Sequence, residues 1–302
     1  MADPDIAWID APAPTGRWGR PGELGLPLAD RGLLLADGIF ETVLVLDGRP
    51  RLLAEHLRRW TEGAALLGME PPPPLAQVEA LIAEAIRRSA ISTGALRLNW
   101  SRGTPAAAGA RGIAIRAGCR HRFWLQLSAT SPCFAPVRVI VSPTETRSAT
   151  SLLSRAKTFS YGSAVQARRQ AAAAGADDAL LRSSAGGLCC ATSANLLVHT
   201  GGGWCTPPLS SGCLPGVMRA RALALGLVRE AEIGEADLAA SGGGLLLNSL
   251  GCRPISHLAG NPLTWVEDWL PAGESKEDGS PAGLGLSLAE AAEHLWRWLL
   301  EG

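Results

Sequence analysis

This sequence predicts a two-domain α/β protein, and three observations carry that expectation. The chain has 302 residues, 47% of them hydrophobic, which is enough for more than one packed core. Apolar spacings of two and of about 3.6 residues alternate along it, so strands and helices are interleaved. A polar run, Ser128-Ala129-Thr130-Ser131-Pro132, separates two such series. We therefore expect an N-terminal α/β domain over 1–127, a linker over 128–134 and a C-terminal domain over 135–302 with a helical extension at its end.

Residues 1 to about 28 are rich in Pro and Gly and are expected to be irregular apart from a strand at 6–9. The apolar run 39–46 meets Leu52 and Leu53 across Asp47-Gly48, a hairpin signal. Helical spacing of Leu57, Trp60, Ala64 and Leu67 marks a helix over 54–67 that stops at Gly68. Four prolines at 71–74 set it apart from a second helix over 75–89. Strands follow at 95–100 and 122–127. In the second half we expect a strand at 137–141, a helix ending at Gly175, and a hairpin of 178–182 with 188–199. Short strands at 204–206 and 245–247 come next. Between them the Gly- and Pro-rich run 207–219 opens a helix reaching about Leu225, whose free N-terminal amides suit a phosphate. An ordinary capped loop is the alternative reading. A terminal amphipathic helix from Ser287 should pack through Leu295, Trp298 and Leu299.

Formal net charge is zero, so no global field draws the chain to nucleic acid or to acidic membranes. No apolar run reaches the roughly 18 residues a bilayer span needs, and Met-Ala-Asp-Pro-Asp is not the start of a signal peptide. These features point to a cytoplasmic protein whose partner is a small molecule. Seven Cys, an odd number without metal-ligand spacing, suggest free thiols in a reducing compartment and no metal site.

Lysine usage supplies the sharpest chemical signal. The chain has 26 Arg but only two Lys, and one of these, Lys276, lies in a polar Glu-Ser-Lys-Glu-Asp-Gly run. The other, Lys157, sits between Ala156 and Phe159 in Ser-Arg-Ala-Lys-Thr-Phe-Ser-Tyr-Gly, four residues before the only Tyr, Tyr161. Where composition replaces Lys by Arg, a retained Lys suggests a task that Arg cannot perform. Arg stays protonated, whereas a partly desolvated Lys can lose its proton and attack a carbonyl. A chance surface lysine is the bland alternative.

Taken together, Glu-His-Leu-Arg-Arg-Trp, Ser-Arg-Ala-Lys-Thr, Leu-Pro-Gly-Val-Met-Arg and Asn248-Ser249-Leu250 resemble the class IV pyridoxal-phosphate-dependent aminotransferases and lyases over residues 28 to 258. The lyases that release p-aminobenzoate from aminodeoxychorismate are the most similar branch. The resemblance implies a fold type IV enzyme with a small N-terminal α/β domain, a larger pseudo-barrel domain, pyridoxal 5'-phosphate between them and usually a homodimer. It makes Lys157 the Schiff-base lysine and the carrier of the substrate's Cα proton. Arg59 becomes the phosphate-binding arginine, with neighbouring Arg58 facing solvent. Val217 and Met218 become backbone phosphate donors, and Asn248 and Ser249 a second phosphate loop. Tyr161 matches a tyrosine beside the cofactor's phenolic oxygen, or else packs. Arg111, Phe40 and Asn195 are the substrate-binding candidates.

Within the family, two departures favour a lyase. Pro105-Ala106-Ala107-Ala108 stands in place of the Arg-x-His carboxylate trap of the D-amino-acid aminotransferases. Cys190 stands five residues before Asn195, where the family has a Glu on the pyridine nitrogen, and no Asp or Glu lies between Ala179 and His199. A ring nitrogen left neutral suits elimination better than transamination, which needs a longer-lived carbanion. We expect conversion of 4-amino-4-deoxychorismate to p-aminobenzoate and pyruvate in folate synthesis. The alternatives are an aminotransferase acting on branched-chain or D-amino acids, and a cofactor-binding protein without turnover.

Overall fold

The computed structural model describes residues 5–10, 16–105, 112–115, 118–266 and 286–301. Their contacts divide into two units, one running to Ser131 and including Ala156–Ser160, the other made of Pro132–Arg155 and the chain from Tyr161 onward.

The first unit is built on a six-stranded antiparallel sheet. Its strands are β1 (Ile6–Ile9), β2 (Arg17–Gly19), β3 (Gly38–Leu46), β4 (Arg49–Pro50), β5 (Gly94–Thr104) and β6 (Arg120–Ala129), in the order β2-β1-β6-β5-β3-β4. Its helices are α1 (Arg31–Leu35), α2 (Leu53–Leu66) and α3 (Leu75–Ser89). Alternation puts Ile39, Val43 and Val45 of β3, Leu96 and Leu98 of β5, and Phe123, Leu125 and Leu127 of β6 into one core with Trp60 of α2 and Ile82 of α3.

Two expectations for this unit need correction. Asp47 and Gly48 form the turn, but the return strand is β4, and Leu52, at φ 53°, ends it so that Leu53 opens α2. The linker expected over 128–134 starts inside β6, where Ser128 and Ala129 pair with Ala95 and Gly94.

The second unit holds β7 (Val137–Arg147), α4 (Leu152–Arg155), α5 (Gly162–Ala173), β8 (Asp178–Ser183), β9 (Leu188–Ala191), β10 (Asn195–Thr200) and β11 (Gly203–Thr206). After these come α6 (Val217–Ala224), β12 (Arg229–Glu230), α7 (Glu235–Ala239), β13 (Gly244–Asn248), β14 (Gly251–Leu258), β15 (Asn261–Pro262) and α8 (Leu288–Glu301). Strands β10, β13, β14, β7, β8 and β9 pair in that order, and the single β9–β10 pairing, Cys190 with Asn195, closes the ring into a barrel. Inside lie Val137, Val139, Leu180, Leu188, Leu196, Val198, Leu246 and Ile255. The expected single strand over 188–199 is two strands, because the chain turns back at Thr192–Ala194 and Ala191 N bonds to Ala194 O.

The terminal helix packs through Leu295, Trp296 and Leu299; Trp298, expected to pack, is only half-buried. Among the described residues no helix is long and apolar enough to cross a membrane.

Candidate functional site

Lys157 is fixed by its backbone to the edge of β3. Phe40 N donates to Lys157 O at 2.8 Å, Phe159 N donates to Gly38 O at 3.0 Å, and Thr158 bridges to Ile39. Gly38 makes this approach possible, since a Cβ there would stand 2.3 Å from the Phe159 ring. On the face of β3 away from the core, Lys157 Nζ lies 4.5 Å from the centroid of the Phe40 ring and Arg97 Cζ lies 3.5 Å from it. Both cations therefore use the negative face of one aromatic ring. Arg97 is aimed by Asn99, whose Oδ1 accepts from Arg97 Nε at 2.7 Å. Sequence reasoning missed Arg97, because one Arg among 26 stands out only once the β3–β5 register sets it beside Phe40.

Helix α2 carries Arg59 toward a buried carboxylate. Arg59 Nε and Nη2 donate to Glu41 Oε1 and Oε2 at 2.8 and 2.5 Å, and His56 Nδ1 is 2.8 Å from Glu41 Oε2. Burial alone would raise the Glu41 pKa. The Arg59 charge and the hydrogen bonds from His56 and Arg59 outweigh it and hold the carboxyl at about 2. Arg58 is turned to solvent, its side chain 68% exposed against 12% for Arg59.

In the second unit, α6 starts without a side-chain cap at Gly216. A Cβ at Gly216 would lie 2.0 Å from Asn195 Oδ1, so any larger residue there must displace Asn195 or the start of the helix. Asn195 Nδ2 donates to Leu214 O at 3.0 Å and holds the preceding loop. The first amides of α6, on buried Val217 and Met218, are thus presented at a positive helix end with no carboxylate or hydroxyl of the N-cap spent on them. These donors fit a phosphate. Asn248, at the end of β13, shapes the next turn by accepting from Leu250 N through Oδ1 at 2.8 Å, and Ser249 lies in that turn. Tyr161 is half-buried directly before α5, its carbonyl accepting from Val165 N at 2.9 Å.

Cys190 is buried on β9 beside a bulge that leaves Cys189 unpaired, and it packs with Cys189, Cys213, Ala167, Ala171 and Leu181. Its hydrogen bond with Cys189 and its burial push the thiol pKa well up, so it is neutral at ordinary pH. Arg111 lies outside the described residues. Among those residues no cluster of three or more His, Cys, Asp or Glu could hold a metal ion.

The model of the amino-transferase class IV family matches residues 38–258, and the chain belongs to that family. Members of that family are pyridoxal-phosphate-dependent aminotransferases and lyases, and the fold is the type IV architecture. A curated relative, the bifunctional aminodeoxychorismate lyase/D-amino acid transaminase of Mycobacterium tuberculosis, is 42% identical over 85 residues, a match spanning 26% of this chain and 29% of the relative. A solved Legionella pneumophila structure, assigned as a 4-amino-4-deoxychorismate lyase, is 27% identical with a TM-score of 0.73, covering 80% of this chain and 89% of that one. In fold alone the chain is equally similar to the Escherichia coli branched-chain amino acid aminotransferase, with a TM-score of 0.76 at 18% identity over 86% of this chain and 88% of the other.

Proposed function

We propose that this enzyme is a lyase that converts 4-amino-4-deoxychorismate to p-aminobenzoate and pyruvate. The observation that carries the reading is Cys190, a neutral buried thiol where a carboxylate partner for the ring nitrogen is expected. Two similarities support it, since one relative's name includes this lyase activity and a similar solved structure is assigned to it.

When bound, pyridoxal phosphate supplies an aldehyde that captures the substrate amine and a ring that accepts electrons from Cα. The protein's part is binding and proton transfer. Lys157 Nζ takes the proton from the substrate's amine-bearing carbon. The electron pair left behind expels enolpyruvate from the adjacent carbon as the six-membered ring becomes aromatic, and enolpyruvate becomes pyruvate by taking up a proton. Arg59, the Val217 and Met218 amides and the Asn248-Ser249 turn are proposed to bind phosphate, with Tyr161 near the phenolic oxygen. Phe40, Asn195 and Arg111 are proposed for the substrate, and Arg97 joins them as a cation held beside Lys157. A place in folate synthesis, a cytoplasmic location and a homodimer belong to the same proposal.

A second reading, transamination of branched-chain or D-amino acids, is favoured by the transaminase half of the relative's name and by the fold shared with the branched-chain enzyme. Dependence on a keto acid separates the two. Release of p-aminobenzoate without 2-oxoglutarate is the expected result; turnover of leucine or D-alanine only when 2-oxoglutarate is added, with no p-aminobenzoate formed, would establish the second reading instead.

A further inference from the structure

Glu41 breaks the apolar alternation of β3. Ile39, Val43 and Val45 share its face and are all buried in the core under α2. The Glu41 side chain is 1% exposed, yet it is ionised and takes Arg59 through two oxygens and His56 through one of them. Packing does not require this arrangement, because an apolar set of similar volume is commonly as stable as a buried ion pair or more so. What the bidentate contact does is fix a plane and a direction for the guanidinium that a lone helix arginine would lack. His56, also 1% exposed, meets the carboxylate at Oε2, the oxygen that Arg59 Nη2 also takes.

We propose that Glu41 is a positioning residue for the cofactor phosphate: it sets the orientation of Arg59, and so decides how well that guanidinium meets the dianion. The inference rests on the reading of Arg59 as a phosphate ligand. It predicts a defect confined to the phosphate, because of the two partners of Glu41 only Arg59 is read as a cofactor ligand. Losing a partner that orients a binding group costs about 10–100-fold in affinity at metal sites, and a similar effect is expected here.

Pyridoxal, which lacks the phosphate, isolates this contact. Dissociation constants of pyridoxal phosphate and of pyridoxal would be measured on apoprotein by fluorescence, with folding of each variant checked by thermal unfolding. Glu41→Gln should weaken pyridoxal phosphate by about tenfold or more and leave pyridoxal unchanged. In an Arg59→Ala background Glu41→Gln should cost nothing further. Arg59→Lys, which keeps the charge and loses the fork, should reproduce most of the defect and carries the test if Glu41→Gln does not fold. Equal weakening of both ligands by Glu41→Gln, or an undiminished effect in the Arg59→Ala background, would make Glu41 a packing residue only. Should Arg59→Ala itself leave the ratio of the two constants unchanged, the reading of Arg59 falls and the positioning role falls with it.

Discussion

Cys190 can accept or weakly donate a hydrogen bond, but as a neutral thiol it cannot keep a proton on a pyridine nitrogen as a carboxylate does. Cys190→Glu should therefore move the enzyme toward transamination, read as a higher rate of leucine or D-alanine turnover relative to p-aminobenzoate release. An unchanged ratio would mean that Cys190 does not face the ring. For Arg59 we expect that Arg59→Ala lowers pyridoxal phosphate affinity by about 2 kcal/mol, the scale of a charge-assisted contact, while exposed Arg58→Ala does little. Equal losses in a cofactor titration would misplace the helix face. Glu41 makes a pH prediction. Its folded pKa, about 2, lies below the ordinary 4.5, so its contribution to stability is complete above about 4.5 and is lost as pH falls toward 2. Acid unfolding of Glu41→Gln should be shallower over that window. At this scale the sequence was uneven: Lys157 showed through its rarity, whereas Glu41 was legible as a lone acid in an apolar stripe and went unread. Arg97 is meaningful only through cross-strand register.

At the scale of elements, the C-terminal helix ties together parts that carry proposed phosphate donors. Trp296 of α8, fully buried, donates from Nε1 to Asn248 O at 3.1 Å and meets Phe134 edge-on, while Arg221 of α6 donates through Nε to Leu299 O. Trp296→Ala should cost about 3–5 kcal/mol in urea unfolding, the usual cost of emptying a large aromatic site. A loss under 1 kcal/mol would show that α8 is not part of the second unit's cooperative core. Gly216→Ala should weaken pyridoxal phosphate far more than pyridoxal in the same titration, because the methyl group must displace Asn195 or the start of α6. Helix α3 spans the expected 75–89, and four prolines mark its start; its end, where Ala90 turns left-handed, has no Gly or Asn to announce it. The split between β9 and β10 was not legible, because Thr192-Ser193-Ala194 has no Gly or Pro to announce a turn. Trp298 and Trp296 both fit a helical stripe, and only the packing partners choose between them.

For the whole molecule, two α/β units were readable from composition and period, but the excursion of residues 156–160 into the first unit was not. Short segments that leave one unit to pair with another have no periodicity of their own. That excursion fixes Lys157 to β3 beside Phe40 and Arg97, and the chemistry proposed for the enzyme turns on it. The fate of the substrate nitrogen tests that chemistry most directly. Enzyme loaded with pyridoxal phosphate would be mixed with a substoichiometric amount of aminodeoxychorismate labelled with heavy nitrogen at the amine, with no keto acid present. The account predicts that the label appears in p-aminobenzoate, in equal amount to pyruvate, and that folded Lys157→Ala produces neither. Label retained on the protein-bound cofactor, with no p-aminobenzoate released, would contradict it.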